Sequence, residues 1–363
     1  MGSYNLLKII AGAVAAALVI VLVCVVYLCR KRGSRDEERG EFDGSEEGEK
    51  ELRAEELIRF SGGEDLSIQE ILDAPGEVIG KLGYGTLYRA VLPRSNSTVA
   101  LRFLRPASTG RAGAATAEGF AAVVEMLGLI RHPNLVEMLG FYSGPRGEKL
   151  FVHPFVHGRN LKQFLTGGGE DSRKWPLIYR ISLGIARALN HLHCGSRRPI
   201  IHGNLKSKNI LLDGNYEPYV SDYGLHLLLN PTSSQEMLEA SAAQGYNAPE
   251  LIKMKDASKE SDVYSLGIIL LEIITGKEPI NENPSPSTQD LYLPDSMRSA
   301  IIDHRISDMF HPDILLSKSN HPHQVTEEKL LKFVQLAMAC CAPSPSLRPD
   351  VKRVLRKLEE IGS

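Results

Sequence analysis

Between Ile200 and Asp213 the chain reads Ile-Ile-His-Gly-Asn-Leu-Lys-Ser-Lys-Asn-Ile-Leu-Leu-Asp. An imidazole, two ammonium groups and two amides fall between His202 and Asn209, a set able to hold anions and exchange hydrogen bonds. Asn204 sits at the centre of the run, and its amide can carry no negative charge and act as no base. Three other stretches carry comparable chemistry. Gly80-Lys81-Leu82-Gly83-Tyr84-Gly85 could bring backbone amides close to phosphates, although a glycine loop alone is weak evidence. Arg102 supplies a cation within an apolar run, and Asp222-Tyr223-Gly224 supplies a carboxylate.

The elements that must position these groups change character along the chain. Val78-Ile79, Thr86 to Leu92 and Thr98 to Phe103, separated by Gly and Pro breaks, predict three antiparallel strands. Residues 114–130 predict a helix, and 135–142 and 149–155 two further strands. From Trp175 onward, three- and four-residue apolar spacing predicts long helices over 175–193, 261–275 and 327–339. A small β-rich lobe followed by a larger helical lobe is an α+β, two-lobe arrangement.

The chain has 363 residues, 43% of them hydrophobic, enough for one large or two modest cores. A net charge of −2 gives no basic field for nucleic acid. The five cysteines are scattered, with neither metal-ligand spacing nor the pattern of a disulfide framework. Ile9 to Cys29 is uncharged and as a helix reaches roughly 31 Å, close to the bilayer hydrocarbon thickness. Arg30, Lys31, Arg32 and Arg35 against a lone Lys8 place its C-terminal side in the cytoplasm. The expected organisation is a short extracellular stretch over 1–8, a single membrane-spanning helix over 9–29 and a cytoplasmic, largely disordered linker over 30–76. A folded domain follows over 77–361, with its lobes at 77–156 and 157–361. Gly12 and Ala16 could let two spanning helices approach and form a dimer.

Six motifs then occur in order: the Gly80 loop, Val99-Ala100-Leu101-Arg102, the His202 loop, Asp222-Tyr223-Gly224, Ala248-Pro249-Glu250 and Ser261-Asp262-Val263-Tyr264-Ser265-Leu266-Gly267. Together they make residues 77–361 resemble a protein kinase. Arg131-His132-Pro133-Asn134-Leu135-Val136 and Gly245-Tyr246-Asn247-Ala248-Pro249-Glu250-Leu251 narrow the resemblance to plant leucine-rich-repeat receptor-like kinases, and to their members with degraded active sites.

That resemblance implies a role for each position. Gly80, Gly83, Gly85 and Arg102 would face the phosphates of ATP. Leu87, Ala100, Val156 and Leu211 would enclose the adenine, with His153 at the gatekeeper position, and Asn209 and Asp222 would ligate Mg2+. Asn204 and Lys206 would occupy the catalytic positions. Leu127, His202 and Tyr223 would pack as a column between the lobes. Asp262 would hold the catalytic loop, and Glu250 would pair with Arg348. Four departures fall on phosphate handling and proton transfer. Leu82 replaces a glycine, and Arg102 replaces a lysine with a wider fork. Val123 replaces the helix glutamate, while Glu125, about 200° around the helix, faces elsewhere and Glu118 is the other candidate partner. Asn204 replaces the general base, typically worth about 10²–10⁴ in rate. Gly203 also removes the arginine that grips a phosphorylated activation segment, leaving Thr232, Ser233, Ser234 and Ser241 without the usual ordering partner.

The expectation is therefore a single-pass plasma-membrane pseudokinase. It would act as a scaffold or allosteric partner of other kinases or signalling proteins at the cytoplasmic face. The alternative is a weakly active Ser/Thr kinase using Mg-ATP, and a third reading keeps ATP only as a conformational ligand.

Overall fold

Alternating side chains turn inward along the strands of the N-terminal lobe and bury one face of its sheet. The computed structural model describes residues 55–109, 117–167, 174–254, 256–281, 292–311, 314 and 326–362. The lobe contains β1 (Glu56–Arg59), α1 (Ile68–Asp73), β2 (Gly76–Leu82), β3 (Gly85–Val91), β4 (Thr98–Leu104), α2 (Ala117–Gly128), β5 (Gly140–Ser143) and β6 (Lys149–Pro154). The strands form one antiparallel sheet in the order β1-β5-β6-β4-β3-β2. Register places Arg102 opposite both Leu87 and Phe151, and Ala100 opposite His153. The strand pairing thus brings the charged end and the apolar end of the site onto β4.

Two sequence expectations need correction here. Within the expected linker, residues 55–63 are ordered: Leu57 and Ile58 lie in β1, and Phe60 is buried against α2, whereas the short amphipathic segment expected from Leu66 to Leu72 forms as α1. A Cβ on Gly128 would lie 2.0 Å from the Phe60 ring, so the glycine makes room for the aromatic side chain. Leu66 and Ile71 join Val99, Leu101 and Val152 in a second apolar cluster. Burying a side chain such as Phe60 contributes about 1.5–3 kcal/mol toward the cost of ordering the segment, about 1–2 kcal/mol per residue. The strand expected over 135–142 begins only at Gly140. Before it, Val136 N–H donates to Val220, and Leu139 N–H donates to Val152. The segment bonds to two separate partners instead of one ladder. The linker residues before 55 and the spanning segment 9–29 lie outside the described residues. Among the described residues no helix is long and apolar enough to cross a membrane.

The C-terminal lobe contains β7 (Arg159–Asn160), α3 (Leu161–Thr166), α4 (Trp175–Cys194), β8 (Ile210–Leu212), β9 (Pro218–Val220), α5 (Pro231–Ala242), α6 (Lys259–Thr275), α7 (Leu293–Ile302), α8 (Glu327–Cys340) and α9 (Val351–Gly362). The helices expected at 175–193, 261–275 and 327–339 are α4, α6 and α8. A capping box between Ser258 and Ser261 starts α6, and Gly276 in the left-handed region ends it. Buried from Ser261 to Thr275, α6 anchors the lobe.

Glu272 of α6 lies inside that core. Tyr246 Oη donates to Glu272 at 2.8 Å, and Ser207 Oγ lies 2.7 Å from Tyr246 Oη. Burial, outweighing those bonds, raises the Glu272 pKa from 4.5 to about 8. A carboxyl whose folded pKa is raised contributes stability below its unfolded value and loses it as pH rises through the folded one. The thermal midpoint should therefore fall between about pH 4.5 and pH 8 more steeply in the parent chain than in Glu272→Gln. Parallel pH profiles would show that Glu272 does not titrate in this range.

Candidate functional site

The loops that follow β6, β8 and β9 meet the underside of β2 to β4, leaving a cavity of about 620 Å³ between the lobes. That volume is in the range of small-ligand sites. Of the sequence-selected residues, Gly80, Leu87, Ala100, Arg102, Val156, Asn204, Lys206, Asn209, Leu211 and Asp222 line it. Gly83 and Gly85 do not. Gly85 opens β3, where a Cβ would lie 2.2 Å from the Phe103 carbonyl, and Gly83 faces Glu236. Both glycines shape the loop without lining the cavity.

Leu87, Ala100, Val156 and Leu211 form a half-buried apolar slot at one end. His153 beside it is half-buried, its Nδ1 2.8 Å from the Glu137 carbonyl, and desolvation lowers its pKa. The other end is polar and differs from the sequence expectation. Arg102 Nη2 donates to Asp222 Oδ1 at 2.6 Å, and both side chains are nearly inaccessible. Val123 packs against the apolar core and Glu125 is exposed, as the helical spacing requires. The side chain of Glu118 lies outside the described residues. A guanidinium therefore engages the carboxylate expected to ligate a metal. Asn209 Nδ2 donates to the Asn204 carbonyl at 2.9 Å, and the Asn209 carbonyl accepts from Ser221. Mg2+ needs oxygen ligands in near-octahedral order. Arg102 occupies Asp222 Oδ1, so of these two side chains only Asp222 Oδ2 and Asn209 Oδ1 are left to hold such an ion.

Tyr84, which the sequence places in the glycine loop, is buried in the cavity wall. Burial raises its phenol pKa, aided by Asp222 and opposed by Arg102. An aromatic side chain between Gly83 and Gly85 is the signal that could have flagged it. Burial likewise lowers the pKa of Lys206, against the attraction of Asp222.

The catalytic-loop frame is intact. Asp262 accepts from the backbone N–H of His202 at 2.7 Å and of Gly203 at 2.9 Å, and lies 2.9 Å from His193 Nε2. Burial pulls the Asp262 pKa upward, but these bonds and the nearby imidazoles hold it below its ordinary value. Gly203 has φ +75°, and a Cβ there would lie 2.4 Å from the His226 ring. Arg348 binds Glu250 through both terminal nitrogens, at 2.6 and 2.7 Å.

After Asp222-Tyr223-Gly224 the chain forms α5, a helix absent from the sequence expectations. Asn230 caps it by accepting from Ser233 N–H at 2.8 Å. The same residue donates to the carbonyls of Ala107 and Ser108, tying α5 to the N-terminal lobe. Ser233 and Ser241 are buried, whereas Thr232 is exposed. Ser234 is half-buried, so of the four expected modification positions Thr232 is the most open in this arrangement.

Comparison with known proteins follows the same outline. The protein kinase domain family matches residues 74–358. The kinase-like protein TMKL1 of Arabidopsis thaliana is 34% identical over 97% of this chain and 52% of its own length. An Arabidopsis thaliana protein named as an inactive receptor kinase is 31% identical over 97% of this chain and 55% of its own. The chain spans about half the length of these curated relatives. Among solved structures, the maize SIRK1 kinase domain bound to AMP-PNP matches with a TM-score of 0.73 and 28% identity, over 85% of this chain and 100% of that one. The pseudokinase domain of BIR2, an immune regulator of the RLK/Pelle family, matches with a TM-score of 0.63 and 30% identity, over 78% and 80%.

Proposed function

The chain belongs to the protein kinase family and its homologues are Arabidopsis leucine-rich-repeat receptor-like kinases; from that premise we propose that it is a membrane-anchored pseudokinase, a signalling scaffold or allosteric partner and not a phosphotransferase. The observation that carries this reading is the buried Arg102–Asp222 ion pair. Phosphoryl transfer relies on positioning and on neutralising charge as it develops. Here the strand cation and the metal-position carboxylate neutralise each other. Asn204 stands beside them without a basic carboxylate, and Val123 offers Arg102 no alternative partner.

The fold framework is kept. Asp262, Glu250 and Arg348 hold the catalytic loop and the C-terminal lobe in place, as a domain that presents surfaces to partners requires. Those partners would be other kinases or signalling proteins at the cytoplasmic face of the plasma membrane. Residues 9–29 would supply the anchor, and pairing of two such helices would make a dimer. Incubating the purified full chain with γ-labelled ATP and Mg2+ tests the reading. Label incorporation should not exceed that of Asp222→Asn. Robust transfer that Asp222→Asn abolishes would establish the chain as a weak Ser/Thr kinase instead.

A further inference from the structure

Three polar atoms in the wall of the interlobe cavity are buried and have no hydrogen-bond partner among the described residues: Tyr84 Oη, Arg102 Nη1 and Asn204 Oδ1. Each of their residues is 4% exposed. Burying such groups unpaired costs about 1–3 kcal/mol apiece, so three of them on residues lining one cavity point to something that pairs them. Arg102 can only donate, the Asn204 amide presents an acceptor beside a donor, and Tyr84 can do either. A hydroxyl meets all three requirements, because it donates and accepts. An ionised phosphoryl oxygen only accepts.

Charge points the same way. Arg102 is already neutralised by Asp222. Glu236 of α5 reaches the turn of the glycine loop, its Oε2 3.4 Å from where a Cβ on Gly83 would stand. A carboxylate there repels a phosphate chain passing under the loop. Lys206 is inside the cavity, whereas Lys81 and Lys208 are exposed at its rim, where water screens them.

We infer that this cavity takes an uncharged, hydroxyl-bearing flat heteroaromatic of nucleoside size, without a divalent metal, in preference to a nucleoside triphosphate. The inference deepens the non-catalytic reading and rests on it. The apolar slot formed by Leu87, Ala100, Val156 and Leu211 holds the ring, and the orphaned atoms take its hydroxyls.

Calorimetric titration of the purified full chain with adenosine, with Mg-ATP and with ATP in EDTA tests this. Adenosine should bind at least about tenfold more tightly than ATP, and Mg2+ should leave the ATP affinity unchanged. Glu236 is exposed, so Glu236→Gln should fold normally. It should tighten ATP by about threefold and leave adenosine unchanged, the scale of one surface charge. Tighter binding of Mg-ATP than of adenosine overturns the inference, and so does the absence of binding by all three ligands. Mg-ATP binding tighter than adenosine, without transfer of the labelled phosphate, would remove this inference alone. Transfer would remove the non-catalytic reading as well.

Discussion

Replacing Asp262 by alanine is expected to lower the stability of the folded chain by about 3–5 kcal/mol. Its carboxylate is almost completely buried and accepts from the backbone at His202 and Gly203, with His193 Nε2 as a third partner. Truncation would leave three polar groups with nothing to bond, each costing about 1–3 kcal/mol before relaxation. Because its pKa is lowered, this contribution is complete at neutral pH and fades only as pH falls through the folded value. Chemical denaturation at pH 7 measures it directly. A loss under about 1 kcal/mol would mean that the catalytic loop is held by other contacts.

Gly203→Arg should cost about 3 kcal/mol or more, although it restores a residue that the family uses at this position. A side chain at φ +75° is strained, and its Cβ would meet the His226 ring. The arginine therefore cannot be returned without moving the activation segment. Adding His226→Ala should recover the steric part, giving a coupling of about 1 kcal/mol or more in a double-mutant cycle. If the two changes are additive, His226 does not explain the glycine.

The parts legible in the sequence are those encoded by local pattern. The α4, α6 and α8 helices show uninterrupted apolar spacing, and the motif order identifies the two-lobe fold. Val123 and Glu125 can be placed on opposite faces of α2 because helical rotation is fixed. What was hidden depends on contacts distant along the chain. Arg102 is plainly unusual, but its pairing with Asp222 joins residues 120 positions apart. Gly203 reads as a missing arginine, and only the folded chain shows His226 against it. The α5 helix escaped notice because two of the residues on its inward face are Ser233 and Ser241, so no apolar stripe marks it. Phe60 was lost within an acidic stretch whose average composition resembles a linker. Tyr84, Arg102 and Asn204 come to line one cavity only in the folded chain.

The central claim is that Asn204 is one loss among several at the phosphate site, and the most direct measurement is phosphate transfer by Asn204→Asp. A carboxylate restored at this position should recover about 10²–10⁴ in rate if the missing base were the sole defect. With Arg102 on Asp222, Val123 in α2 and α5 across the glycine loop, the account predicts that labelled-phosphate incorporation by Asn204→Asp stays at the level of the parent chain. A gain of about a hundredfold from that single substitution would contradict it.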